Sequence, residues 1–290
     1  MTPSDEQPQA NGDADTTQES MLSLDNGVLH VCQDGPRDAP ALLLIHGSAS
    51  SSRTWAPLTP LLTDSRHVIR IDLPGHGSSS EPTDQVYDTS AQARAVATAM
   101  DRIGIDHAVA VGHSSGGYTA TALAGQRPDL VTALVLINSG PGMDAYIAPE
   151  PAIDPTQWPP TDEQLRQFAS TGFREGYQVP QELVDELRGM SFRALSAAMQ
   201  ASRAYLHQQA LPDRLKPLGK PLQVIFGAQD RRWRPSSAND YRVVPGVQID
   251  FLPEAGHSPL LEDPPGTAAL LLAFIAHHAA RAPKPIPAAD

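Results

Sequence analysis

The sequence predicts an α/β fold: a mostly parallel, eight-stranded sheet with helices on both faces and a helical insertion near its middle. Three observations carry this prediction. Short, continuous runs rich in branched residues recur along the chain, as expected of strands buried on both faces. Helical patterns alternate with several of these runs, which implies parallel strands joined by crossovers that pack on either side. One stretch, 141–218, breaks the rhythm with prolines, then helices, and no strand.

Residues 1–20 are polar and charged, too poor in large apolar groups to offset the entropy of ordering them, and are expected to be a disordered tail. The runs 21–24 and 28–32 flank Asp25-Asn26-Gly27, residues that tolerate the positive φ of a tight turn, so the ordered domain is predicted to begin with a hairpin. Six more strands are expected at 41–45, 67–71, 108–111, 130–137, 221–226 and 247–251. Helices are expected at 88–103, 116–126 and 265–282, the last with Ala268, Leu271, Leu272, Phe274 and Ile275 on its apolar face. The core domain is thus 21–140 joined to 219–282, and 141–218 reads as a helical cap.

Within the cap, Pro149, Pro151, Pro155, Pro159 and Pro160 precede three helical patterns. Thr161 with Gln164 has capping-box spacing, and Leu165 with Phe168 shares one helical face. Val184 and Leu187 repeat the arrangement. A third helix, 191–209, carries Phe192, Leu195, Met199 and Tyr205 at roughly helical spacing. Residues 283–290 are expected to be a frayed tail.

A chain of 290 residues suits one large core with an insertion. Hydrophobic residues make up 40% and charged residues 19%, and no apolar run reaches the ~20 residues that span a bilayer. The N-terminus has neither a basic start nor an apolar stretch, the opposite of a secretory signal, so a cytoplasmic protein without a membrane partner is expected. The formal net charge of −12 repels phosphate backbones, which argues against nucleic acid. Cys32, the single cysteine, lies in a strand-like run and reads as a buried inert thiol. No histidine has metal-ligand spacing of the H-E-x-x-H type, and neither metal nor cofactor is expected. Monomer and homodimer are both open.

The chemistry concentrates at Gly112-His113-Ser114-Ser115-Gly116-Gly117, between a strand and a helix. This is G-x-S-x-G in the context it requires. Serine at a sharp strand-to-helix turn occupies strained backbone, and small neighbours at 112 and 116 let strand and helix approach. The helix that follows offers free N–H groups and a positive dipole end to negative charge near Ser114. Ser115 is the rival hydroxyl, but only Ser114 has glycines at both flanking positions.

A serine needs a base, and histidine titrates in the useful range. Of ten histidines, His257 follows the 247–251 strand in a Gly- and Pro-bearing loop and is the candidate. Asp230, after the 221–226 strand, is the carboxylate expected to orient it, with Asp144 as the alternative. The resulting order Ser, Asp, His is that of one particular fold. The oxyanion donors are expected to be the backbone N–H groups of Ser115 and of Ser48, in His46-Gly47-Ser48-Ala49-Ser50.

Taken together, Leu42 to Gly47, Asp72-Leu73-Pro74-Gly75-His76-Gly77-Ser78, the Gly112 to Gly117 elbow, Gly227 to Asp230 and Gly256-His257-Ser258-Pro259 resemble the α/β-hydrolase superfamily, over roughly 21–282. The match is similar to the branch with a helical cap after the sixth strand. That branch holds esterases, lactonases, carbon–carbon bond hydrolases, epoxide hydrolases, dehalogenases and cofactor-free haloperoxidases. Serine at 114 disfavours the dehalogenases and epoxide hydrolases, which use aspartate there. The resemblance implies acyl transfer to water, and the cap's aromatic and methionine residues suggest a small or medium, partly apolar carboxylic ester, thioester or lactone, with His46, Trp158, Phe192, Met199 and Trp233 as candidate substrate contacts. Carbon–carbon cleavage or a biosynthetic rearrangement on the same residues, and a ligand receptor with little turnover, are the alternatives. The sequence departs from the family after Asp230, where Arg231-Arg232-Trp233-Arg234-Pro235 is open to two readings: a solvated basic turn with Trp233 packed on the cap, which is preferred, or Trp233 near the pocket mouth with cations beside an acidic substrate.

Overall fold

A computed structural model describes residues 17–147 and 160–279. Eight strands form one sheet: β1 (Gln18–Leu24), β2 (Gly27–Asp34), β3 (Ala41–Ile45), β4 (His67–Ile71), β5 (Ala108–His113), β6 (Val131–Ile137), β7 (Leu222–Gly227) and β8 (Gln248–Leu252). Their order across the sheet is β1-β2-β4-β3-β5-β6-β7-β8. β2 pairs antiparallel with β1 and β4; every later pair is parallel.

The period-2 alternation of strands divides the core into two layers. Leu43, Ile45, Ala110, Leu134 and Val224 face α1 (Thr89–Arg102) and α2 (Gly116–Gln126), packing among Val96, Met100 and Leu123. Their strand neighbours Leu42, Leu44, Val111, Val135 and Ile225 point the other way, toward Trp55, Leu58 and, on the C-terminal helix (Pro264–Ala279), Leu271 and Phe274. Both faces are therefore covered, as the continuous apolar runs required.

The hairpin begins earlier than expected. Gln18, Glu19 and Ser20, assigned by sequence to the tail, pair with Gln33, Cys32 and Val31, and Arg37 Nη2 donates to Gln18 Oε1 at 2.6 Å. An edge strand exposes its side chains, so polar residues are tolerated there and hydropathy does not mark it. The rest of the expected tail, residues 1–16, lies outside the described residues. So do 283–290, Pro149, Pro151, Pro155, Pro159 and Trp158.

Between β6 and β7 the chain leaves the sheet for α3 (Asp162–Ser170), α4 (Gln181–Gly189), α5 (Phe192–Gln208) and α6 (Leu211–Leu215). α3 opens with the expected capping box, Gln164 N–H donating to Thr161 Oγ1 at 3.3 Å and Thr161 N–H to Gln164 Oε1 at 2.8 Å. Leu165, Phe168, Val184, Leu187 and Leu195 form a separate small core for these helices. Among the described residues no helix is long and apolar enough to cross a membrane.

Candidate active site

β5 ends at His113 and α2 begins at Gly116, so the reversal falls on Ser114, whose φ is +53°. That value is strained for a residue with a side chain and is sustained by close packing around it. A Cβ on Gly112 would stand 2.5 Å from the Gly116 carbonyl, and one on Gly116 would stand 2.3 Å from the Ile45 carbonyl oxygen. Glycine at both positions is what allows helix, elbow and β3 to meet.

The three sequence candidates come together at the carboxyl ends of the strands. His257 Nε2 lies 3.0 Å from Ser114 Oγ, and His257 Nδ1 lies 2.9 Å from Asp230 Oδ2. His257 is 1% exposed and Asp230 5%, so the relay is shielded from water on all but the serine side. Asp144 is remote from this chain: its side chain is 78% exposed and faces Arg234 at 3.7 Å.

Asp230 is held by more than the histidine. Its Oδ1 accepts the backbone N–H groups of Arg232 (2.7 Å) and Trp233 (3.2 Å), and its Oδ2 accepts Asn138 Nδ2 at 2.7 Å. Burial alone would raise its pKa, but His257, Asn138 and the Arg232 N–H outweigh burial and hold the carboxyl below its ordinary range. Asn138 is a functional residue that sequence reasoning missed. It sits at φ +49° just after β6, fully buried, and also donates to the Gly256 carbonyl while accepting the Gly227 N–H. One side chain thereby ties the ends of β6 and β7 to the histidine loop. Asn138-Ser139-Gly140 reads locally as a turn, and nothing in its spacing marks it.

His113 supports the same loop from below, its Nε2–H donating to the His257 carbonyl at 2.8 Å. Burial, with His257 beside it, pushes its pKa down to about 3, so it stays neutral.

The expected oxyanion donors flank Ser114 but are not equally free. Ser115 is the N-cap of α2, and its N–H belongs to the unbonded first turn. The Ser48 N–H, in contrast, donates to Ser115 Oγ at 2.7 Å. Ser48 thus stands beside Ser114, with its backbone donor taken up by a neighbouring hydroxyl.

Two clefts meet at Ser48 and Ser114. The first is walled by Tyr118, Met143, Tyr146, Met199, Leu206 and Trp233; the second, by His257, Phe173, Leu183, Leu187 and Leu261. Phe168 and Arg232 line both. Met199 and Trp233 therefore stand where expected, Trp233 edge-on to Tyr146 at 5.2 Å. Two other candidates do not. His46 is fully buried beneath the loop, its Nδ1–H donating to the Gly47 carbonyl and its Nε2 accepting the Leu73 N–H at 2.9 Å; both nitrogens are committed to backbone and the residue is structural. Phe192, at the first position of α5, lines neither cleft, because its helix faces Ser114 two turns later, through Met199.

A doubly covered parallel sheet with a serine, a histidine and an aspartate linked in that order at its strand ends defines an enzyme architecture of the α/β-hydrolase class. The chain belongs to the alpha/beta hydrolase family, whose model matches residues 42–270. Among its relatives is a protein of Bacillus subtilis (strain 168) provisionally named a 2-succinyl-6-hydroxy-2,4-cyclohexadiene-1-carboxylate synthase, 26% identical over 84% of this chain and 93% of that protein. A monoacylglycerol lipase of Xenopus laevis is 25% identical over 83% of this chain and 76% of its own length. Among solved structures, a bacterial membrane phospholipase A described as a virulence factor superposes with a TM-score of 0.73 at 26% identity, covering 90% of this chain and 86% of the other.

Proposed function

We propose that the protein is a serine hydrolase that cleaves a small or medium, partly apolar carboxylic ester, thioester or lactone through an acyl-enzyme on Ser114. The observation that carries this reading is the unbroken hydrogen-bonded line from Ser114 Oγ through His257 to Asp230. As Ser114 attacks the carbonyl carbon, His257 Nε2 takes its proton and Asp230 stabilises the imidazolium. The oxyanion is received by the Ser115 N–H and, once Ser115 Oγ turns away, by the Ser48 N–H. His257 then returns the proton to the leaving oxygen or sulfur, and water repeats the sequence to free the acid. The apolar wall of Met143, Met199, Leu206 and Trp233 suits an acyl or alcohol chain rather than a highly charged one.

The lipase among the relatives agrees with ester chemistry. A second reading, carbon–carbon bond cleavage or a biosynthetic rearrangement on the same residues, draws support from the Bacillus relative named as a synthase, which matches 84% of this chain. Intact-protein mass spectrometry after exposure to a fluorophosphonate, with p-nitrophenyl ester hydrolysis alongside, tests the proposal. One adduct and ester turnover, both absent in Ser114→Ala, support it. An adduct without turnover of any ester, thioester or lactone moves the assignment to the second reading, and no adduct overturns the activated serine altogether.

A further inference from the structure

We propose that Arg232 anchors an anionic substrate: the ester, thioester or lactone taken by Ser114 carries one carboxylate, on an otherwise apolar frame, that pairs with this guanidinium. The inference rests on the serine-hydrolase reading and names the substrate class within it. Arg232 belongs to the segment after Asp230, for which the sequence favours a solvated basic turn. That expectation holds for Arg231 and Arg234, both exposed, and fails between them. Trp233 is buried, and the half-buried Arg232 lines both clefts at Ser114.

The cap holds the guanidinium in place. Its Nε–H and an Nη2–H both donate to Thr171 Oγ1 at 3.2 Å, and the Thr171 hydroxyl donates in turn to the Phe168 carbonyl at 2.8 Å. Thr171 therefore presents lone pairs to the arginine. The Phe168 ring lies against the same group, its centroid 5.4 Å from Cζ. These contacts occupy the Nε side of the fork. Among the described residues Nη1 meets no acceptor and Arg232 forms no ion pair, which leaves Nη1 and the outer Nη2–H, the donors that match a carboxylate bidentately, uncommitted.

Asp230 does not fill that place, because its oxygens are taken by His257, Asn138 and the backbone N–H groups of Arg232 and Trp233. Burial opposes the cation and pulls its pKa down, and the attraction of Asp230 offsets this only in part. A guanidinium stays protonated all the same, and a shielded cation without a bonded anion is costly. A carboxylate entering the clefts relieves that cost.

The surroundings have the same sign. The net charge of the protein is −12, yet among the described residues neither cleft is lined by aspartate or glutamate, and the first is lined by a second cation, Arg203. Arg203 is exposed, donates from Nη2 to Tyr146 Oη at 3.3 Å and lies over that ring at 5.4 Å. Two arginines and no carboxylate around the nucleophile attract anions within a surface that otherwise repels them. Much of the remaining wall is apolar, through Met143, Met199, Leu206 and Trp233, so the anion is a single group on an apolar frame.

The test pairs esters that differ in one charge. Mono-p-nitrophenyl adipate against its methyl ester puts the carboxylate on the acyl side; p-carboxyphenyl butanoate against its methyl ester puts it on the leaving side. Alkaline hydrolysis rates correct for intrinsic reactivity. In the full-length protein the charged member of at least one pair is expected to be favoured by about tenfold or more in kcat/KM, and Arg232→Gln is expected to remove that preference. The backbone N–H that supports Asp230 survives the substitution. A native enzyme that favours neither charged ester, or a preference that persists in Arg232→Gln, overturns the anchor, while turnover of the neutral esters that is lost in Ser114→Ala leaves the hydrolase reading standing. No turnover of any ester removes that reading, and the anchor with it.

Discussion

The Ser48 N–H and Ser115 Oγ are joined by a 2.7 Å hydrogen bond, and Ser48 Oγ approaches the same hydroxyl at 2.9 Å. The Ser115 side chain thus occupies the seat toward which the proposed oxyanion donor of Ser48 points. Turning it away breaks a hydrogen bond worth about 0.5–1.5 kcal/mol net, a cost that the proposed mechanism meets on each acylation. Ser115→Ala is therefore expected to raise kcat/KM for a p-nitrophenyl ester by about 2- to 10-fold. A fall of similar size would show instead that the Ser115 hydroxyl itself serves the oxyanion.

Two acidic residues follow strands near the site, and only one reaches the histidine. Asp230→Asn keeps the shape but removes the charge that stabilises the imidazolium and fixes its tautomer, so kcat is expected to drop by about 10³- to 10⁴-fold. Asp144→Asn, at an exposed position, is expected to leave kcat within about twofold, since surface changes of this kind cost little. Steady-state kinetics of both variants decides between the carboxylates; equal losses would remove Asp230 from its assigned role.

Buried neutral histidines make the fold sensitive to acid. Burial holds His76 and His113 down to about 3, against about 6.5 for an unfolded histidine. Between those values the unfolded chain binds protons that the folded chain refuses. Stability is therefore complete above about pH 6.5 and is lost as pH falls, by up to about 1.4 kcal/mol per pH unit for each site. Chemical denaturation between pH 7 and 4.5 is expected to show this slope. His76→Gln, which removes one titrating group whose Nδ1–H meets only the Pro74 carbonyl, is expected to flatten it. An unchanged slope would mean that His76 is not held neutral by the fold.

The strands and the elbow were legible because their signals are local. A buried parallel strand announces itself in five or six consecutive residues, as Ala41–Ile45 and His67–Ile71 do, and the Ser114 turn requires glycines at fixed offsets. Asp230 was found because it follows such a strand, β7, and His257 because it follows the apolar run read at 247–251, although β8 is only half-buried and Phe251 is 40% exposed. What stayed hidden depends on pairs far apart in sequence: Asn138 meets Asp230 across 92 residues, and His46 meets Leu73 across 27. His-Gly after a strand looks the same whether the ring lines a pocket or braces a loop. Gln18 to Ser20 were hidden for a different reason, since an edge strand is held by ladder hydrogen bonds and needs no apolar side chains.

Asn138 offers the sharpest test of how the site is held. Its Nδ2–H is one of the donors that keep the Asp230 carboxyl ionised against burial, and a hydrogen bond to a charged acceptor is worth about 1.5–3 kcal/mol. Removing it in Asn138→Ala lets burial raise the Asp230 pKa, so the carboxylate that supports His257 is lost at a higher pH than in the native protein. The variant is expected to lose kcat with little change in KM, because Asn138 lies behind Asp230 and lines neither cleft. The ratio of variant to native kcat/KM is expected to decline further as the pH is lowered, the direction set by Asp230 taking up its proton early. A ratio that stays flat with pH would mean that Asn138 serves the packing of the strand ends and not the charge on Asp230.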